Sequence, residues 1–170
     1  MSDRLHRQIY TAISAALIGI ATMVIPIPIP GGGYVNAGDI VILTSAFVLN
    51  PVSAMIAAGV GSAVADVCLG YVLYVPCSMA VKAVMAWCAA TAFRGLRKKT
   101  NFVTAILTGG GLGEIIMTGG YFIYEGFVYG FAGAVAGILP NLLQGIVGIL
   151  GAGLLYPTVL RIPAIKKILY

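Results

Sequence analysis

Charge is what this sequence has least of. Charged residues make up 9% of its 170 residues, against about 25% in a typical soluble domain. So little polarity cannot clothe a globular surface, which argues against a soluble enzyme. Histidine is nearly missing: His6, near the N-terminus, is the single one. No imidazole acid–base pair or histidine metal cluster can therefore form among the apolar segments. Cysteine is sparse and odd in number. Cys68, Cys77 and Cys88 include no CxxC pair, which speaks against a structural zinc site. Free, buried thiols are the plain reading, and a Cys68–Cys77 bridge is the alternative. No GxxxxGK[ST] loop occurs, so the chain has no phosphate-binding motif with which to hydrolyse ATP itself. The sequence nominates no catalytic residue, cofactor or metal ligand.

Apolar residues are abundant instead. They make up 60% of the chain, and the mean hydropathy is +1.02. A chain this apolar does not stay solvated as a disordered segment. The expectation is an all-α membrane protein, a single integral membrane domain over residues 1–170. At about 20 residues per span, this length allows roughly six transmembrane helices.

Proline, glycine and charge divide the chain into those spans. Residues 5–25 form the first, read as a retained helix because no cleavage site clearly follows it. Residues 26–38, PIPIPGGGYVNAG, are too rich in proline and glycine for regular helix and form a long loop. The second span, residues 39–49, is about 11 residues or roughly 16 Å at helical rise, too short to cross a bilayer of about 30 Å alone. Asn50-Pro51 opens the next helix as N-cap and first-turn proline. The third and fourth spans cover residues 52–69 and 77–93, around an aromatic turn at 70–76. The fifth starts near residue 102 and runs to 124 or beyond. Residues 125–137, rich in glycine and aromatics, are ambiguous and compatible with a loop and a short helix, and 139–160 read as the sixth span.

The net charge of +5 is carried in three short clusters. They are Arg4 and Arg7; Arg94, Arg97, Lys98 and Lys99; and Arg161, Lys166 and Lys167. This is the pattern of cytoplasmic loops, not of a nucleic-acid-binding face; it leaves room for contact with anionic membrane lipid. With all three clusters on one side, six crossings close consistently and both termini are cytoplasmic. The loop at 26–38 is then outside, where Tyr34, Tyr71, Tyr74, Tyr121, Tyr124 and Tyr129 gather as an interfacial belt.

Polar residues inside the spans share a depth. Asp66, Lys82, Asn141 and Gln144 fall in the outer half, and Glu114 near the midplane. Ionisable groups in a bilayer are costly and face a cavity or each other, so a polar pocket open to the outside is expected. Helical spacing supports it: Glu114, Thr118, Tyr121 and Glu125 share one face, and Asn141, Gln144 and Gly148 another. Plainer readings stay open. Asp66 and Lys82 can be a structural ion pair, Asn141 and Gln144 interhelical glue, Asp39 an N-cap and Asn36 a turn residue.

Several of these features resemble one family. Ala12-x-x-x-Ala16 in the first span, the long loop after it and Asn36-Ala37-Gly38-Asp39 opening the second are similar to the S components of energy-coupling factor (ECF) vitamin transporters. So are the stretch Gly59 to Asp66, then Gly70-Tyr71, Pro76 and Lys82, and the pair Asn141-x-x-Gln144. The resemblance covers nearly the whole chain and looks like the riboflavin, hydroxymethylpyrimidine or pyridoxine branch. It implies a non-catalytic subunit of a bacterial cell membrane. Such a subunit binds one small vitamin from outside and docks on a transmembrane coupling subunit with two ATPases. Asn36, Asp66, Lys82, Glu114, Tyr121, Asn141 and Gln144 would form the substrate site, and Ala12 and Ala16 part of the docking face. Pyridoxine or hydroxymethylpyrimidine is favoured, with riboflavin next. A solitary secondary carrier and a ligand-free scaffold are the rival readings.

Overall fold

The structure is a computed structural model that describes residues 3–29, 32–162 and 165. Pro30 and Gly31 of the long loop, and Lys166 and Lys167 of the third basic cluster, lie outside the described residues.

Six helices follow one another up and down. Helix α1 spans Asp3–Val24 and stops ahead of Pro26, where a proline ring removes the next amide donor. The loop then folds into a small antiparallel hairpin, β1 (Ile27–Pro28) against β2 (Tyr34–Val35), with Ile27 opposite Val35 and Pro28 opposite Tyr34. Helix α2 is Gly38–Val48. Its first free amide, Gly38 N, donates to Asn36 Oδ1 at 2.8 Å. Asp39, read above as an N-cap, sits one position inside the helix, and its side chain does other work.

Helix α3 (Pro51–Leu69) opens on Asn50, whose Oδ1 accepts from Ser53 N at 3.0 Å, with Pro51 at the first position, as expected. It closes at Gly70 in the left-handed region, where the Tyr71 amide donates to Asp66 O at 2.8 Å. A 3-10 turn, Val72–Tyr74, leads into α4 (Val75–Arg97). Helix α5 (Phe102–Tyr129) is capped by Asn101, which accepts from Thr104 N at 2.8 Å, and α6 is Phe131–Val159.

Residues 125–137 therefore correct the expectation of a loop. Helix α5 runs through Tyr129, and α6 begins about two turns before the expected start at residue 139. One residue, Gly130, makes the reversal at φ 86°, ψ 144°, a conformation open to glycine alone. Aromatic packing holds this sharp turn: Phe131 lies 5.7 Å from Phe122 and 5.8 Å from Phe127 between ring centroids. Gly126 leaves room for the Phe131 ring, which a Cβ there would meet at 2.4 Å.

Five of the helices are long and apolar enough to cross a membrane; α2, at 11 residues, is not. It is instead a core helix, wedged between α1 and α6 and touching α3 and α4. The remaining order of packing is α1–α3–α4–α5–α6. Helices α1 and α3 approach closely at Gly61, where a Cβ would lie 2.5 Å from the Ala15 carbonyl oxygen. Arg4 and Arg7, the Arg94–Lys99 cluster and Arg161 all fall at the same end of the bundle. The buried acidic residues and Lys82 lie toward the other.

Candidate substrate pocket

The polar end encloses a cavity of about 20 Å³. Thr22 of α1, the hairpin, Ser62 and Asp66 of α3, Ser78 and Lys82 of α4, Tyr121 and Glu125 of α5, and Asn141 and Gln144 of α6 surround it. Every long helix contributes because each presents one polar stripe at this depth. The room suits a single water and not a ring.

Beneath the cavity lies a fully buried ion pair. Lys82 Nζ and Asp39 Oδ1 are 2.5 Å apart, with the two side chains 4% and 1% exposed. Of the readings left open for Lys82, the ion pair with Asp66 is therefore not the one formed; its partner is Asp39. Asp39 sits at the α2 N-terminus in the middle of the bundle, where the helix dipole favours a carboxylate, and Lys82 meets it there. Gln144 Nε2 donates to the other Asp39 oxygen at 2.5 Å, and Gln144 Oε1 accepts from the Asn36 amide at 2.6 Å. One amide side chain thereby ties the loop to the ion pair. The Lys82 ammonium also lies 5.5 Å from the centroid of Tyr121, within cation–π range.

Asp66 serves the hairpin instead. Tyr34 Oη donates to its Oδ1 at 2.6 Å. Burial pushes the Tyr34 phenol above its ordinary value, and the bond to Asp66 pushes the same way, so Tyr34 remains a donor at neutral pH. Further round the rim, Tyr74 Oη donates to Glu125 Oε1 at 3.2 Å, and Tyr121 Oη to Ser78 Oγ at 2.8 Å. The tyrosines form a connected set: Tyr34–Tyr71 centroids are 4.5 Å apart, Tyr71–Tyr74 6.2 Å and Tyr74–Tyr121 6.4 Å. Gly32 rests on this set at φ 112°, and a Cβ there would meet Tyr74 and Tyr129 at 2.7 Å.

Of the candidate residues, Asn36, Asp66, Lys82, Tyr121, Asn141 and Gln144 line the cavity. Asn36 both holds the turn and closes the wall. Glu114 lies apart, one layer down, its carboxyl set against Gly145 and Gly148, where Cβ atoms would come within 3.0 Å and 2.8 Å of its oxygens. Both Glu114 oxygens lack a hydrogen-bond partner among the described residues. Asp39 is the main residue that sequence reasoning assigned elsewhere, because an acidic residue after Gly38 looks locally like a cap. Glu125 and Ser78 also belong to the wall, and both carried a signal, lying on the polar faces of Glu114 and Lys82. Cys68, Cys77 and Cys88 are free, so no Cys68–Cys77 bridge forms. Ala12 and Ala16 are exposed on α1 and do not line the cavity.

Known proteins resemble this chain along most of its length. The family model of the ECF-type riboflavin transporter, S component, matches residues 4–161. A protein of Pyrococcus woesei described as "Uncharacterized protein in gap 3'region" is 36% identical over 145 residues, 82% of this chain and 92% of that protein. The "Thiamine precursor transporter HmpT" of Lactococcus lactis subsp. cremoris is 31% identical over 154 residues, 90% of this chain and 84% of the relative. A polar cavity walled by these helices and a match over nearly the whole chain lead to one assignment: the chain belongs to the family of ECF-type riboflavin transporter S components.

Proposed function

We propose that this chain is the substrate-capturing subunit of an ECF transporter, and that its cargo is a small water-soluble vitamin or precursor of hydroxymethylpyrimidine or pyridoxine size. The observation that carries the reading is the cavity itself, walled by buried polar side chains from five helices under a two-stranded flap. Ligand sites pair apolar walls with a few convergent polar groups, and the tyrosines supply faces for a ring. The relative named as a thiamine precursor transporter points the same way. Riboflavin is the second reading, on the strength of the family's name.

In this scheme the pocket end faces outward and both termini are cytoplasmic, on the side of the basic clusters. The hairpin is the lid, and Tyr34–Asp66 and Asn36–Gln144 are its latches. The subunit itself catalyses nothing. Energy comes from two ATPases acting through a transmembrane coupling subunit. That subunit would dock on α1, where Ala12 and Ala16 leave an exposed flat strip between Ile9, Ile13, Leu17 and Ile20.

Mass spectrometry of small molecules released from the purified protein tests the reading, with Gln144→Leu as control. A stoichiometric vitamin, lost in the control, is expected. No released vitamin, together with no thermal stabilisation by a panel of vitamins and precursors, overturns it.

A further inference from the structure

Two carboxyl groups lie side by side in the layer below the cavity. Asp39 of α2 and Glu114 of α5 meet across Gly148, where a Cβ would lie 2.8 Å from Glu114 Oε1 and 3.1 Å from Asp39 Cβ. The two residues are 1% and 4% exposed. Lys82 acts on both, but its ammonium bonds Asp39. Gln144 occupies the other Asp39 oxygen. Asp39 and Lys82 therefore balance each other, and Glu114 is in excess. Neither of its oxygens has a hydrogen-bond partner among the described residues. A buried carboxylate in that position is far costlier than the neutral acid.

A second observation points to a small occupant. Thr118 lies one turn from Glu114 on the same face of α5, toward the cavity. It is 8% exposed, and its hydroxyl also lacks a partner among the described residues. Buried polar atoms are nearly always partnered, so two such side chains left open together are not explained by packing. The helices α2, α4 and α6 pack on α5. Asp39 and Lys82 are the charged groups that they turn toward Glu114. Helix α6 brings Gly145 and Gly148 there, with the neutral amide of Gln144 beside them. On α5 itself, Tyr121 and Glu125 follow Thr118 at the cavity. No group of three His, Cys, Asp or Glu is gathered to hold a metal ion among the described residues, and an ammonium already stands close by. A proton needs one carboxyl, and a protonated carboxyl both donates and accepts.

We infer that Glu114 is a proton-binding site, and that the subunit takes up a proton there as it closes on its ligand. The inference rests on the vitamin-binding reading and adds a second, ionic ligand to it. The closed arrangement needs Lys82 on Asp39, with Gln144 linking that pair to the Asn36 amide. An ionised Glu114 would draw the ammonium away from Asp39 and loosen the chain of bonds. A neutral Glu114 leaves it intact. The cavity as described holds about one water, so a form that admits a ring is wider and wetter. In that form water and Lys82 support the charged carboxylate. Closure expels the water, and the carboxylate takes H+ from solution to become the acid. The linkage is reciprocal: the ligand favours the proton, and the proton favours the ligand. Affinity is therefore full at acid pH. It falls as pH rises through the range in which Glu114 of the open form ionises.

Isothermal titration of the purified full chain with riboflavin and with hydroxymethylpyrimidine, in buffers of different ionisation enthalpy, counts the protons. Net uptake is expected at mildly alkaline pH, with affinity falling by up to about tenfold per pH unit. Infrared spectroscopy of the native complex should show the carbonyl stretch of a protonated carboxyl. Glu114→Gln has the shape of the neutral acid and cannot titrate. It should take up no proton, lose that band and give a flat pH profile; thermal unfolding establishes that it is folded. Binding without proton uptake in the native chain overturns the inference and leaves vitamin binding standing. Uptake that persists in folded Glu114→Gln also overturns it, and places the proton on Asp66 or Glu125 of the wall. If Glu114→Gln does not fold, Glu114→Asp decides in its place: a shifted carboxyl band is expected, and an unshifted one overturns the inference. Failure of both compounds to bind the native chain removes the vitamin-binding reading, and the inference with it.

Discussion

The same helices enclose two different interiors at their two ends. At the basic end the filling is largely aromatic. Phe47 and Phe93 rings lie 4.5 Å apart, Phe93 and Tyr156 5.4 Å, and Phe102 stacks on Tyr156 at 5.5 Å. Alanines at 86, 89, 90, 105 and 152 are fully buried around them, with Met85. The guanidinium of Arg94 reaches in to donate to Val48 O at 3.3 Å, closing the last turn of α2. At the pocket end the filling is ionic, and several polar atoms are left without partners. Close packing of apolar side chains stabilises the bundle at one end. Unmet hydrogen-bonding capacity at the other is a cost that a ligand can relieve. Helix α2 joins the two: Phe47 is part of the aromatic cluster, and Asp39, two turns away, anchors the ion pair.

Breaking each end should have different consequences. The largest loss of stability is expected from Lys82→Ala, which leaves Asp39 charged and buried. Removing one partner of a buried pair costs about 3–5 kcal/mol, read as a lowered unfolding midpoint in detergent. The joint change Asp39→Asn with Lys82→Met should recover most of it. A single variant as stable as the native chain would mean that the pair is solvated and the contrast between the ends is false.

Phe93→Ala should cost a comparable amount, about 3–5 kcal/mol from the transfer and cavity terms. Ligand affinity should change little, because no aromatic of the basic end touches the pocket. Loss of affinity without loss of stability would reverse the assignment of roles. A smaller effect, about 1–3 kcal/mol, is expected from Gly61→Val, which forces α1 and α3 apart at the Ala15 carbonyl. Thermal unfolding reads it directly.

Tyr34→Phe removes one charge-assisted hydrogen bond to Asp66. It should weaken ligand binding about tenfold, mainly through faster release, with stability nearly unchanged. Stopped-flow dissociation measures that. The smallest effect on stability belongs to Ala12→Leu, within about 0.5 kcal/mol because the position is exposed. Assembly with a coupling subunit should nonetheless fail, as co-purification would show.

How much of this could be read in advance depended on whether the signal was local. The Asn50-Pro51 helix start was legible, because a cap and its proline act within one turn. So was the shared face of Glu114, Thr118 and Glu125, all buried in the structure, because helical period alone brings them together. The reversal at Gly130 was not. A run of aromatics and glycines is compatible with a loop as well as with two helices, and the packing of Phe131 over Gly126 decides between them. The partner of Lys82 was equally hidden. Asp66 and Asp39 lie on different helices, and nothing in their spacing says which of them the ammonium meets.

The sequence by itself determined the class of molecule and the depth of its polar layer. Hydropathy sets how much of each helix avoids water, and helical period sets which side chains face inward. Only the tertiary structure decided the pairing inside that layer. It buried short α2 at the centre, joined Asp39 to Lys82, and gave Asp66 to the flap. Those choices follow from the order in which the helices pack, because a charge removed from water can be paired only by a neighbour that packing supplies.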